Sequence, residues 1–152
     1  MKEELSCSIR IDREGVWRYH GAEMHRKDIV QYLAGFLQKT EKGYCIEIPD
    51  VDYADIEVED TPLVVVSAER KETEEGEGIV ILLSDGLEEI LEPHTLTQTD
   101  ENVLYCTVRG GKFPCRFLRK SYYQISRYVE YDELNDQYFL SLNGKKYVIR
   151  RD

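Results

Sequence analysis

A six-residue phrase occurs twice in this chain. Arg26-Lys27-Asp28-Ile29-Val30-Gln31 returns 93 positions later as Arg119-Lys120-Ser121-Tyr122-Tyr123-Gln124. A tyrosine follows each copy, Tyr44 and Tyr138, and a second lies nine residues beyond it, Tyr53 and Tyr147. Between them Ile46 and Ile48 answer to Leu140 and Leu142. The expectation is two copies of a helix-then-hairpin unit, a repeat of supersecondary size. That constrains the fold to α+β: two small lobes related by duplication, mainly antiparallel strands with one helix each.

The local patterns agree. Ile9 and Ile11 alternate with Arg10 and Asp12, and Glu14-Gly15 turns the chain into Val16–His20, a strand hairpin. Ile29, Leu33, Phe36 and Leu37 form a stripe of period 3.6, which predicts a helix from about 25 to 39, capped by Gly43. Strands are expected over 44–48 and 51–59. Asp60-Thr61-Pro62 breaks the pattern and sets the lobes at 1–60 and 61–152. Leu63–Val66 reads as a strand covered on both faces. The Glu-rich stretch 69–78 reads as a solvated hairpin tip, 79–83 and 88–91 as strands, and 93–100 as a polar loop. A strand over 102–109 leads to Gly110-Gly111. Pro114 then introduces a second helix with the stripe Leu118, Tyr122, Ile125 and Val129. Asn143-Gly144 is a strong hairpin signal between 137–142 and 145–150.

Composition narrows the function classes. A net charge of −10 argues against nucleic acid, whose phosphates need a basic surface. The charge is uneven, however: residues 109–152 hold 10 Lys/Arg and 5 Asp/Glu, against 10 and 25 in residues 1–108. A basic third on an acidic chain suits either charge docking between lobes or an anionic ligand. No apolar run approaches the roughly 20 residues of a membrane span, and Met1–Leu5 has no apolar signal region. Cys7, Cys45, Cys106 and Cys115 lack metal-ligand spacing, and Cys7, Cys45 and Cys106 sit at strand core positions. All four are expected as free thiols in a reducing cytoplasm. His20, His25 and His94 are isolated, so no metal is expected. No nucleophile elbow and no dinucleotide fingerprint is present, so neither an enzyme nor a cofactor is expected.

The binding candidates are cations and rings. Arg26-Lys27 and Arg119-Lys120 fall in helix first turns, where the dipole disfavours cations and an anion would reverse the penalty. The alternative is pairing with the chain's own carboxylates, Glu57, Glu59 and Asp60 being nearest in sequence. Arg109, Lys112, Arg116, Arg119 and Lys120 form a basic run around a Gly-Gly turn. Trp17 and Tyr19 share a strand face and form either a stacking platform or a core pair.

Gly15–Gly21, Arg26-Lys27 opening a helix, Val58–Pro62 and Val108–Gly111 occur in an order that resembles the bacterial domain-of-unknown-function 1285 family, over roughly residues 6–150. Trp17, Arg26, Lys27, Glu59, Asp60, Pro62 and Arg109 match its recurring positions. Glu14 replaces the usual aspartate, and Gly111-Lys112-Phe113 replaces a more apolar stretch. The resemblance implies a duplicated two-lobed fold with a pleckstrin-homology-like second lobe. It also implies an anionic, nucleotide-like small molecule held between the lobes, and a signalling role. The alternative function is a protein-interaction module using the second lobe.

Overall fold

A computed structural model describes residues 9–152; Cys7 lies outside them. The chain divides into two compact units, 1–63 and 64–152.

The first unit carries β1 (Ile9–Ile11), β2 (Trp17–Tyr19), β3 (Ala22–Glu23), α1 (Lys27–Ala34), β4 (Leu37–Thr40), β5 (Gly43–Ile48) and β6 (Asp52–Val58). Its sheet runs β3-β2-β1-β6-β5-β4. The expected first hairpin is present, with Ile9 opposite Tyr19 and Ile11 opposite Trp17. β1 then lies parallel to β6, where Arg10 faces Glu57 in register and pairs with it and with Glu59. Ile9, Ile11, Trp17, Leu37, Ile46 and Ile56 are core residues.

Helix α1 is shorter than its stripe predicts. Gly35 follows its last residue, and the helix ends there because a glycine is unfavourable in a helix interior but tolerated at its end. Leu37-Gln38-Lys39-Thr40 becomes a strand, because burying Leu37 opposite Ile46 satisfies the same apolar residue in an extended backbone. Gly43 therefore opens β5 at φ 143° and does not cap a helix.

The second unit has a seven-stranded sheet and a three-stranded sheet. The larger is ordered β16-β10-β11-β12-β7-β8-β9. Its strands are β7 (Leu63–Thr73), β8 (Gly76–Leu83), β9 (Glu88–Ile90), β10 (Thr97–Gln98), β11 (Leu104–Val108), β12 (Phe113–Phe117) and β16 (Arg150–Arg151). The smaller is a meander of β13 (Val129–Asp132), β14 (Gln137–Leu142) and β15 (Lys145–Val148). Helix α2 (Arg119–Ser126) joins the two sheets in sequence. The mostly-sheet α+β class is as expected.

The Glu-rich stretch is the expected hairpin tip, a largely exposed ladder down to Thr73 opposite Gly76, held by the Arg70–Glu77 ion pair. Asn143 docks on it, accepting from the Glu77 N–H (2.8 Å) while its own N–H donates to the Glu77 carboxylate (3.1 Å). Two local expectations change. Pro114 sits inside strand β12, because Phe113, Cys115 and Phe117 alternate inward. Opposite it, Thr107 sends its N–H to Thr95 Oγ1 (3.1 Å), so that pair needs no proline N–H. The polar loop at 93–100 contains a 3-10 turn, Pro93–Thr95, and strand β10.

Each helix is followed by three antiparallel strands. The paired tyrosines land alike: Tyr44 and Tyr138 on the middle strands, Tyr53 and Tyr147 on the third. Both helices exit alike, Phe36 N–H donating to Leu33 O (3.0 Å) and Tyr128 N–H to Ile125 O (3.0 Å). That match is one residue out of step with the 93-residue phrase, since Arg26 caps α1 whereas Arg119 is already inside α2.

Helix α2 is held on β7 by polar contacts. Leu118 N–H and the fully buried Ser121 hydroxyl both donate to Val65 O, at 3.2 and 2.6 Å. Gln124 Oε1 accepts from Ala68 N–H (2.9 Å). A buried hydrogen bond of this kind contributes about 1 kcal/mol. Ser121→Ala is therefore expected to lower the melting temperature by about 2–4 °C, read by calorimetry. Gly76→Ala is expected to cost more than Gly110→Ala. Both glycines have positive φ, but only at Gly76 would the new Cβ meet another side chain, 2.6 Å from Asn143 Oδ1.

Candidate functional site

The nine sequence candidates fall on both units. Trp17, Tyr19, Arg26 and Lys27 belong to the first; Arg109, Lys112, Arg116, Arg119 and Lys120 belong to the second. Trp17 is 4% exposed, a core residue with no face to offer an incoming ring. Tyr19 is 41% exposed, with its ring edge-on to His20 at 4.3 Å. Arg26 is bound by both its Nε and Nη2 to the Asp28 carboxylate, at 3.0 and 2.8 Å. That contact raises the guanidinium and lowers the carboxylate, so the first-turn cation is answered by its own helix. Glu57 and Glu59 go instead to Arg10 and Arg13. Lys27 is exposed.

Arg109 is also committed to the fold. Its guanidinium pairs with Asp85, a carboxylate whose side chain is 3% exposed. Its N–H donates to Glu89, and its φ of 57° starts a left-handed turn through Gly110 and Gly111. The Gly-Gly turn therefore seats two internal carboxylates, not a ligand phosphate. Lys112 stands on this turn, at the opposite end of the β11–β12 hairpin from Arg116 and Arg119. Five strand residues separate the two ends, roughly 15 Å. Lys120 is exposed on α2.

Arg116 and Arg119 do come together. They line a hollow of about 410 Å³ with Phe117, Tyr122 and Tyr123, closed by Asn102, Val103 and Leu104. A second hollow of about 380 Å³ shares Asn102, Leu104 and Tyr122 with the first. Its other walls are Tyr131 and Tyr138, apolar Ile125, Val129 and Ile149, and polar Gln98, Ser126 and Arg151. All of these residues belong to the second unit. Neither lining contains an Asp or Glu, in a chain with 30 of them.

The geometry is set from the core outward. Val129 and Tyr131 share a strand face, and register puts Tyr131 opposite Tyr138 with ring centroids 5.1 Å apart. Buried Ile125 fixes the turn of α2 that presents Tyr122. Gln98 Nε2 donates to Tyr122 Oη (3.1 Å) and to Asn102 Oδ1 (3.3 Å), which ties the shared wall together. At the rim, Tyr131 Oη donates to Asp136 (2.5 Å), which raises the phenol. The first turn of α2 contains no acid, and Ser121, standing in the sequence phrase where Asp28 stands in the first copy, turns its hydroxyl inward. Arg119 consequently lacks the helix partner that Arg26 has. Among the described residues neither Arg119 nor Arg151 forms an ion pair, and no group of three or more His, Cys, Asp or Glu is placed to hold a metal.

Sequence reasoning missed Arg151, Tyr131, Tyr138, Gln98 and Asn102. The basic balance of residues 109–152 included Arg151, but nothing local tied it to tyrosines on another strand.

Residues 2–61 match the family "Domain of unknown function (DUF1285), N-terminal domain". The match covers the N-terminal part of the chain, and it is that segment which is similar to the N-terminal domain of the DUF1285 family. Its fold is similar to that of a DUF1285 family protein from Silicibacter pomeroyi DSS-3, with TM-score 0.76 and 21% identity, covering 94% of this chain and 79% of that one. A DUF1285 family protein from Shewanella baltica OS155 is similar at TM-score 0.64 and 22% identity, over 78% of this chain and 90% of that one. No curated protein matches this chain. No helix among its described residues is long and apolar enough to cross a membrane.

The strand pair carrying the two tyrosines is itself anchored by Asp132. Its carboxylate accepts from Lys146 Nζ, Asn135 Nδ2 and the Leu134 N–H, and the Lys146 bond chiefly draws it down to about 2. A lowered carboxyl adds stability above its ordinary value near 4 and loses it as pH falls through about 2. Carbon-13 titration is expected to show that low midpoint for Asp132, and Lys146→Met to move it upward.

Proposed function

We propose that this chain is a non-enzymatic ligand-binding domain of the bacterial cytoplasm, with a signalling role, that takes an anionic, nucleotide-like small molecule. The reading assigns the ligand to the paired hollows of the second unit. The observation that carries it is the lining: arginines and tyrosines with no carboxylate, on a chain of net charge −10. Guanidinium groups recognise phosphate through two parallel hydrogen bonds, and tyrosine faces accept a stacked ring. Hollows of several hundred Å³ are of the size that small ligands use. Buried free thiols at Cys45, Cys106 and Cys115 suit a reducing compartment, and burial pushes the Cys115 thiol well up.

The fold reading that accompanies this function is duplication. It is supported by the matching helix exits and tyrosine positions, and it expects Leu33 to superpose on Ile125 and Leu37 on Val129. A pleckstrin-like character of the second unit belongs to the same reading. One observation favours the alternative, protein-docking role: Leu134, at the β13–β14 turn, is 96% exposed beside exposed Tyr131 and Tyr138.

The test is thermal. Adenosine 5′-monophosphate is expected to raise the melting temperature with dose, by about 2.7 kcal/mol of stabilisation at 100 times its dissociation constant, or several degrees. Arg119→Gln is expected to weaken the response without lowering the melting temperature of the empty protein, and added salt to weaken it further. No shift with any nucleotide, together with binding defects confined to Leu134→Ser in a partner pull-down, would move the assignment to protein docking.

A further inference from the structure

The two hollows divide their cations. Arg151 lines only the one that holds Tyr131 and Tyr138, whereas Arg116 and Arg119 line only the other. Tyr122, Asn102 and Leu104 are the wall between them, and that wall is braced by the hydrogen bonds from Gln98. A single small anion in one hollow reaches either Arg119 or Arg151 and not the other. Tyr122 Oη accepts from Gln98, so its own proton remains to be donated across the wall.

We infer that the ligand carries two separated phosphoryl groups on one body that also bears an aromatic ring, one phosphoryl held by Arg119 and the other by Arg151, with the ring against Tyr122. This rests on the proposed function and specifies its ligand class. The arginine preference is for phosphoryl groups because the planar fork meets two of their oxygens at once. The ring follows from the apolar part of the larger tyrosine wall, where Leu104, Ile125 and Ile149 offer no partner to a charged group. Two anchors joined by one rigid body bind more tightly than either alone, since the second is held at high effective concentration by the first.

The experiment is calorimetric titration of the full chain with four probes: adenosine 3′,5′-bisphosphate, adenosine 5′-monophosphate, adenosine and inorganic pyrophosphate. The bisphosphate is expected to bind at least tenfold more tightly than the monophosphate, and adenosine and pyrophosphate more weakly than either. Arg151→Gln and Arg119→Gln should each bring the bisphosphate down to the monophosphate's affinity, while Lys112→Gln, on the distant turn, should change nothing. Arg119 and Arg151 are both exposed, so circular dichroism of the empty variants is expected to match the parent. Equal affinity for bisphosphate and monophosphate would overturn the two-anion inference and leave the proposed function standing. Pyrophosphate binding as tightly as the bisphosphate would overturn the requirement for a ring. If no probe binds, the proposed function falls, and this inference with it.

Discussion

The second unit depends on how helix α2 meets strand β7. Directly after β12 the chain turns into the helix, and Leu118 and Ser121 both bond to Val65 O while Gln124 receives the Ala68 N–H. Backbone groups of a buried strand must find partners, and here helix side chains supply what a neighbouring strand would. The register of β7 against β8 also shifts between Val65 and Ser67, within the segment these groups cover. Holding the helix at this point decides which of its faces looks outward. Ser121 and Ile125 point in; Arg119, Tyr122 and Tyr123 are left to line the hollows.

The two cationic helix starts show how a similar phrase acquires different roles. In α1 the arginine is answered two residues later by Asp28, a short-range pairing between exposed groups. Such a pair contributes little to stability, but it satisfies the guanidinium and removes it as a ligand contact. In α2 the same place in the sequence phrase is a serine whose hydroxyl serves the core. Arg109 represents the third possibility, a cation paired with a nearly buried carboxylate, where removing either partner would leave an unanswered charge. Three arginines of similar appearance in sequence thus divide into an internally paired surface group, a structural ion pair and a cation that lines a hollow.

Strands were legible from alternation where one face was buried, as in β1 and β11. The signal failed where two readings fit the same residues. Leu37 fits both a helical stripe and an alternating strand, and only its place opposite Ile46 decides between them. Pro114 suggests an ending to any strand, yet β12 continues through it because Thr107 opposite bonds elsewhere. The Glu-rich stretch was legible as a hairpin tip, but not its docking on Asn143, which stands on a turn distant in sequence.

By itself the sequence determined the α+β class, the hairpin at Asn143-Gly144, the repeated helix-plus-strand segments and a basic C-terminal third. Those are properties of residues close together in the chain, where period, turn chemistry and charge act locally. It also contained the clue to Arg119, in the serine that replaces Asp28. Tertiary structure decided that Trp17 is core, that Arg109 belongs to Asp85, and that Tyr131 and Tyr138 stand with Arg151 around Tyr122. Those outcomes depend on which strand edge, helix face and turn come to share a space. Such pairings join residues far apart in sequence, and no local period encodes them.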